Sequence, residues 1–298
     1  MMFKQTIALL CLALLMGGGN QVSAQAPKDI MPREAKSVHM SIPIPIATGE
    51  CVNRNNEAEI DYSNISDGYI MIRYLKPTEL ELRILVTTPN NKVYTYRIEP
   101  DSEFHIFSLT EGDGKYEIGI FKQINKFEST KYTPVLRQTI QVRLNHEHAP
   151  FLIPSNYISF SNNSLFLEMT SRLKGIDDER AAIHEINKFV VGSIKYDKIQ
   201  ARDTDCWYIP DLDRAYTELT GICSDYAVLM TAMVRSIGIP ARMVTGYTKD
   251  GFHAWIEVHI ESTGWERRDP TIEATGKIKR NSRSYISNDE NYAPMFNY

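Results

Sequence analysis

Gly221-Ile-Cys-Ser-Asp-Tyr-Ala227, continued by Arg235-Ser-Ile-Gly-Ile-Pro-Ala-Arg242, is the stretch from which the fold can be read. Ala227, Met230, Thr231 and Val234 recur at helical spacing, which predicts a helix over 224–237 with those residues on its buried face. Gly238 closes that helix and Pro240 prevents its continuation. Cys223 then stands at the helix start, where the unpaired N–H groups of a first turn stabilise negative charge and a nucleophilic sulfur is most easily made.

Downstream the period changes to 2. Residues 244–247, 254–260 and 265–268 read as strands, and Glu261-Ser-Thr-Gly264 is a hairpin turn between the last two. Along His253-Ala-Trp-Ile-Glu-Val-His-Ile260, alternation gives Ala254, Ile256, Val258 and Ile260 to the core and leaves His253 free of any packing duty. The hairpin brings His253 beside Asp269 on the neighbouring antiparallel strand. A thiol, an imidazole that takes and returns its proton, and a carboxylate that orients the imidazole make up the set needed for nucleophilic acyl chemistry.

These residues resemble a known family. Gly221–Ala227, Arg235–Arg242, Val244-Thr-Gly-Tyr247, His253-Ala-Trp255 and Asp269-Pro-Thr271 look like the core of the transglutaminase-like superfamily, with looser support at Ile194-Lys-Tyr-Asp197. The resemblance covers about 220–271 and implies a papain-like fold with Cys223, His253 and Asp269 as a triad, of the bacterial secreted type. It also implies an oxyanion hole. One donor would be the Cys223 N–H, and the other a side chain upstream, for which Trp207 and Tyr208 are the candidates. Asp225 stands where the bacterial pattern has it, and not the tryptophan of animal transglutaminases, which counts against cross-linking. Trp255 is expected to shield the His–Asp contact or to serve as a core aromatic.

Upstream, the helix over 179–193 is signalled by Asp177-Asp178-Glu179 and by the stripe Ala182, Ile183, Ile186, Phe189 and Val190, with His184 facing solvent. Before it, residues 36–144 alternate apolar and polar positions in short runs: 69–74, 80–86, 93–98, 104–109, 116–121 and 138–144. That spacing predicts a β-sandwich, and Leu109-Thr-Glu-Gly-Asp-Gly-Lys-Tyr116 resembles the tyrosine corner of immunoglobulin-like domains. The expected architecture is therefore α+β: an immunoglobulin-like β-sandwich over 25–150, then a transglutaminase-like papain-type domain over 151–298. Residues 145–163, with Pro150 and Pro154, read as an exposed linker. His146 and His148 within it lack a third metal ligand, and His259 has no evident partner. Asp203, Asp205, Asp211 and Asp213 read as a solvated loop before a calcium site, so no metal or cofactor is expected.

Residues 1–24 have one charge, Lys4, a short apolar run and Val22-Ser23-Ala24, the pattern of a cleaved secretory leader. An exported, periplasmic or extracellular product with no transmembrane segment after cleavage is expected. The 298 residues carry 33 Lys+Arg against 37 Asp+Glu, a net charge of -4, which offers no basic surplus for nucleic acid. Four cysteines are too few for a disulfide scaffold, and Cys51, Cys206 and Cys223 would remain after export. Cys223 is expected to stay free, and any bridge to Cys206 to be a reversible off-state.

These readings favour an exported cysteine peptidase or amidase that cleaves an amide bond in a peptide, protein or cell-wall peptide through an acyl-enzyme. Transfer would need an amine acceptor site and exclusion of water, and nothing in the sequence announces either. Protein-glutamine acyltransfer is the alternative, and a silent binding module, its sandwich meeting a surface partner, is the reading from outside enzymology.

Overall fold

The computed structural model describes residues 43–128, 130–174, 176, 178–205, 207–276 and 291–298; the leader read over 1–24 and Cys206 lie outside them. Two four-stranded antiparallel sheets occupy the first half. One, in the order β1-β2-β3-β6, is built from Val52–Arg54, Ala58–Asp61, Tyr69–Tyr74 and His105–Ser108. The other, β5-β4-β7-β8, is built from Leu82–Thr87 (β4), Val93–Ile98 (β5), Gly114–Gln123 (β7) and Tyr132–Val142 (β8).

Alternation decides which side chains meet between the sheets. Ile60, Ile70, Ile72 and Phe107 from one sheet share a core with Leu82, Ile84, Tyr96 and Ile120 from the other, a sandwich around one apolar layer. Tyr116 is the third residue of β7, and its hydroxyl donates to the Gly112 carbonyl in the turn before the strand at 2.9 Å. The short strands β1 and β2 had no clear alternation to announce them: all four residues of β2 are buried, Glu59 and Asp61 included.

The second half packs helices against a sheet of order β13-β12-β11-β14. Its strands are Ala241–Thr248 (β11), Gly251–Ile260 (β12), Gly264–Arg268 (β13) and Tyr292–Asn297 (β14). Helix α5, Cys223–Ser236, lies on β11 and β12 and is ringed by α1 (Leu167–Ser171), α2 (Glu179–Ser193), α4 (Leu212–Glu218) and α6 (Pro270–Ala274). The sequence predicts a one-sided apolar stripe for α5. Instead every residue from Asp225 to Ser236 is buried, because neighbours cover all of its faces. Helix α2 keeps the predicted stripe, and Asp178 caps it by accepting from the Arg180 and Ala181 amides.

The exposed linker expected over 145–163 is not found. Phe151, Ile153, Ile158 and Phe160 are buried, and His148 lies 3.9 Å, centroid to centroid, from His259 and 5.5 Å from Trp265. His259, expected to be a lone surface residue, is thereby the docking point for this segment. The acidic loop residues are also occupied locally: Asp211 caps α4, Asp213 accepts from the Leu165 amide, and Asp203 pairs with Arg202.

Both halves belong to one compact unit. The ring of Tyr298, just past β14, packs 4.3 Å from Tyr157 and 5.7 Å from Tyr94 of the sandwich. Arg235, 2% exposed near the end of α5, donates to the carbonyls of Ala241 at 2.8 Å, Ile153 at 2.6 Å and Tyr298 at 2.8 Å. One guanidinium so ties the helix to β11, to the segment after the sandwich and to the residue beyond β14. Arg235→Met would take a donor from the buried Ala241 and Ile153 carbonyls, while the Tyr298 oxygen keeps the Met243 amide, and is expected to cost about 3 kcal/mol or more. Arg235→Lys, which keeps a charge but not the fork, is expected to cost less; urea unfolding measures both.

Candidate active site

Strand pairing next to Cys223 sets the nucleophile's position. The two-residue strand β10 (Thr220–Gly221) runs parallel to β9 (Lys195–Tyr196), and the chain then enters α5 at Cys223 with Ile222 as N-cap. Asp225, at the third helical position, turns back to accept from the Ile222 amide at 2.8 Å. A side chain at 221 could not coexist with it, since a Cβ there would fall 2.5 Å from that of Asp225. Glycine is required at 221 for this close approach.

Asp225 is fully buried and also accepts from the Tyr208 hydroxyl at 2.5 Å, Arg214 at 3.2 Å and Gln200 at 3.2 Å. Burial pushes its carboxyl above the ordinary aspartate range, against the pull of these donors. The carboxylate thus anchors α3 (Lys198–Asp203), the segment before α4, and the first turn of α5 at one point.

Tyr208 and Trp207, the two candidates for the second oxyanion donor, each meet other partners. Tyr208 spends its hydroxyl on Asp225 and accepts from Arg214 at 2.7 Å. The Trp207 ring lies against the outer face of the sandwich, with the guanidinium carbons of Arg83 and Arg97 at 4.7 and 5.2 Å from its centroid. Neither residue is among the described residues lining the cavity at Cys223.

His253 comes from β12, where it pairs with Gly246 of β11. The β12–β13 register places Ile256 opposite Arg268, so the next residue, Asp269, falls at the His253 end of the hairpin as expected. His253 Nε2 lies 2.8 Å from Asp269 Oδ2, and His253 and Cys223 line the same cavity. The three side chains predicted to act together are therefore brought together. Asp269 has a second duty, capping α6 by accepting from the Ile272 amide at 3.0 Å, which fixes its rotamer. Burial of the ring opposes the imidazolium, but Asp269 first and Cys223 second, both close to the ring, outweigh it and lift His253 to about 10.

Sequence reading missed Tyr292. From β14 it donates to Asp269 Oδ2 at 2.8 Å, the oxygen that also meets His253, and its ring stands edge-on to Trp255 at 5.0 Å. Trp255 is fully buried and lies 6.3 Å from the His253 ring, so one tryptophan is both core aromatic and cover for the imidazole. β14 reaches this position because residue 246 is glycine: a Cβ there would meet the Ala293 carbonyl at 2.1 Å. Nothing in the sequence around 292 distinguishes that tyrosine from the other aromatic residues of the strand.

Cys223 and His253 open into a cavity of about 680 Å³ whose walls include Lys195, Lys198, Phe252 and Ile272. Cys223 and Cys51 are free thiols.

Residues 168–270 match the family described as the transglutaminase-like superfamily, and the match contains Cys223, His253 and Asp269. This segment of the chain belongs to the transglutaminase-like superfamily. Among curated proteins, the uncharacterized protein YebA of Bacillus subtilis is 23% identical over 189 residues, 52% of this chain and 24% of its own. A protein-glutamine gamma-glutamyltransferase of Pseudomonas aeruginosa is 30% identical over 95 residues, 27% of this chain and 14% of its own. The chain spans less than half the length of these curated relatives. A solved Cytophaga hutchinsonii protein, described as a candidate cysteine protease, aligns over 77% of this chain and 76% of its own at 19% identity, with a TM-score of 0.41.

Three outcomes follow for this site. The folded His253 ring holds its proton more tightly than an unfolded imidazole does, so the stability it adds is complete below about pH 6.5 and lost as pH rises through about 10. Asp269→Asn removes the leading support of the imidazolium, and ring-proton NMR is expected to show His253 titrating well below its wild-type point. Tyr292→Phe is expected to move that titration upward, since Asp269 Oδ2 then serves His253 without a competing donor.

Proposed function

We propose that this chain is an exported cysteine hydrolase that cleaves an amide bond through an acyl-enzyme. The observation that carries the reading is that His253, held by Asp269 at 2.8 Å, shares one cavity with Cys223. In the proposed cycle His253 carries the proton when Cys223 Sγ attacks the carbonyl carbon. The tetrahedral oxyanion leans on the backbone N–H of Cys223. The C–N bond breaks, and the proton held by His253 goes to the leaving amine. Water then gives a proton back to His253 and attacks the thioester; the acid departs, and the sulfur leaves with its electron pair. Asp269 holds the ring in one tautomer throughout.

Export is read from the leader pattern over 1–24, and among the described residues no helix is long and apolar enough to cross a membrane. A peptide, protein or cell-wall peptide is the proposed substrate. The sandwich, read as immunoglobulin-like from its Tyr116 corner, is proposed to meet a surface partner. Likeness to the Pseudomonas gamma-glutamyltransferase supports acyl transfer as a second reading, and the two differ only in whether water or an amine takes the acyl group.

Mature chain incubated with peptide libraries, with and without an added amine, separates these readings by mass spectrometry: free acid for hydrolysis, amide adduct for transfer. Cys223→Ala is expected to lower turnover by about 10⁴-fold or more, and Asp269→Asn by about 10²-fold or more with the fold retained. Turnover unaffected by Cys223→Ala would remove the proposed chemistry.

A further inference from the structure

The cavity above Cys223 has a cationic wall that the acyl-transfer chemistry does not use. Lys195 and Lys198 line it, with Asp250 the carboxylate among the lining residues. Both lysines are exposed, and among the described residues neither forms an ion pair. The wall is rigidly indexed to the nucleophile: Lys195 pairs with Thr220 and Tyr196 with Gly221, two to three residues ahead of Cys223. The Asp197 amide then donates to the Gly221 carbonyl at 2.9 Å, and the Asp197 side chain caps the helix that begins at Lys198. The two ammonium groups are therefore carried by backbone hydrogen-bonded directly to the strand that delivers the sulfur.

The charge here runs against that of the chain. Overall the protein carries -4, yet the lining of this cleft sets two lysines against one carboxylate, Asp250, beside the reacting sulfur. A cleft with a surplus of one sign raises the local concentration of the opposite sign. Phe252, 61% exposed, and Ile272 complete the lining with apolar surface, so an occupant needs an aliphatic portion as well as an anionic group.

From this wall we infer that the site prefers acidic acyl donors, peptides bearing a carboxylate close to the scissile amide, with Lys195 and Lys198 as the residues that select them. The inference rests on the hydrolase reading for its scissile bond, but the anion preference of the cavity can be tested without any turnover.

Iodoacetate and iodoacetamide alkylate the same sulfur with the same leaving group and differ in a carboxylate against a neutral amide. The ratio of their rates at Cys223, with exposed Cys51 as internal reference, is measured on the full chain and on Lys195→Gln/Lys198→Gln. Two ammonium charges acting across a partly hydrated cleft are expected to raise the ratio about fivefold over the variant. About 0.5 M salt is expected to remove most of that difference. A ratio unchanged by the double substitution, in a variant that melts like the wild type, overturns the inference.

Paired fluorogenic peptides with Glu or Gln beside the scissile bond form the second arm. A kcat/KM preference for Glu that disappears in the double variant supports the assignment. Hydrolysis indifferent to Glu, and indifferent to the substitutions, refutes it while leaving the hydrolase standing. A falling alkylation ratio with no peptide cleaved refutes the hydrolase and supports an anion-selective cavity.

Discussion

Burial of α5 is the constraint on which the rest of the structure depends. A helix covered on every face must satisfy the charged groups at its ends inside the protein, and this one has Asp225 in its first turn and Arg235 in its last. Each is resolved by gathering partners from distant segments. Asp225 collects the Ile222 amide, Tyr208, Gln200 and Arg214; Arg235 collects three carbonyls from three places in the chain. The need to satisfy two buried charges thus organises the segments on both sides of the helix, and Cys223 sits on the first turn that Asp225 holds.

The other two side chains of the site are held by the sheet rather than by the helix. β12 supplies His253, the end of β13 supplies Asp269, and the capping bond from Asp269 to α6 stops that carboxylate from following the imidazole if the ring turns. Tyr292 adds a second donor to the same oxygen, so the strength with which Asp269 grips His253 depends on a strand that joins the sheet at its far edge. The sandwich is also engaged with this assembly. Trp207 lies on Arg83 and Arg97, its neighbour Tyr208 bonds Asp225, and Tyr298 packs into the sandwich core. These contacts connect sandwich residues to the segment before α4, whose Tyr208 bonds Asp225, and to the residue just past β14.

What could be read from sequence was local. The helix at 223, the hairpin that brings His253 beside Asp269, the caps at Asp178 and Gly238, and the alternation of 82–86 and 93–98 are properties of neighbouring residues, where spacing alone decides which side chains share a face. The cysteine, histidine and aspartate were legible for the same reason: each stands at an element end that its own neighbours define.

The remaining features depend on contacts between residues far apart in the chain. The all-round burial of α5, the docking of His148 on His259, the use of Trp207 and Tyr208 as anchors, and the hydrogen bond from Tyr292 are decided by which surfaces meet. A strand such as β14 carries no period-2 pattern beyond its own length to say which edge it joins. Pairing at β11 is permitted only because Gly246 lets the Ala293 carbonyl approach. By itself the sequence determined the reactive side chains and the elements that present them. Tertiary structure decided what holds those side chains in register, because the free energy of burying a charge or seating an aromatic ring depends on partners that local spacing does not specify.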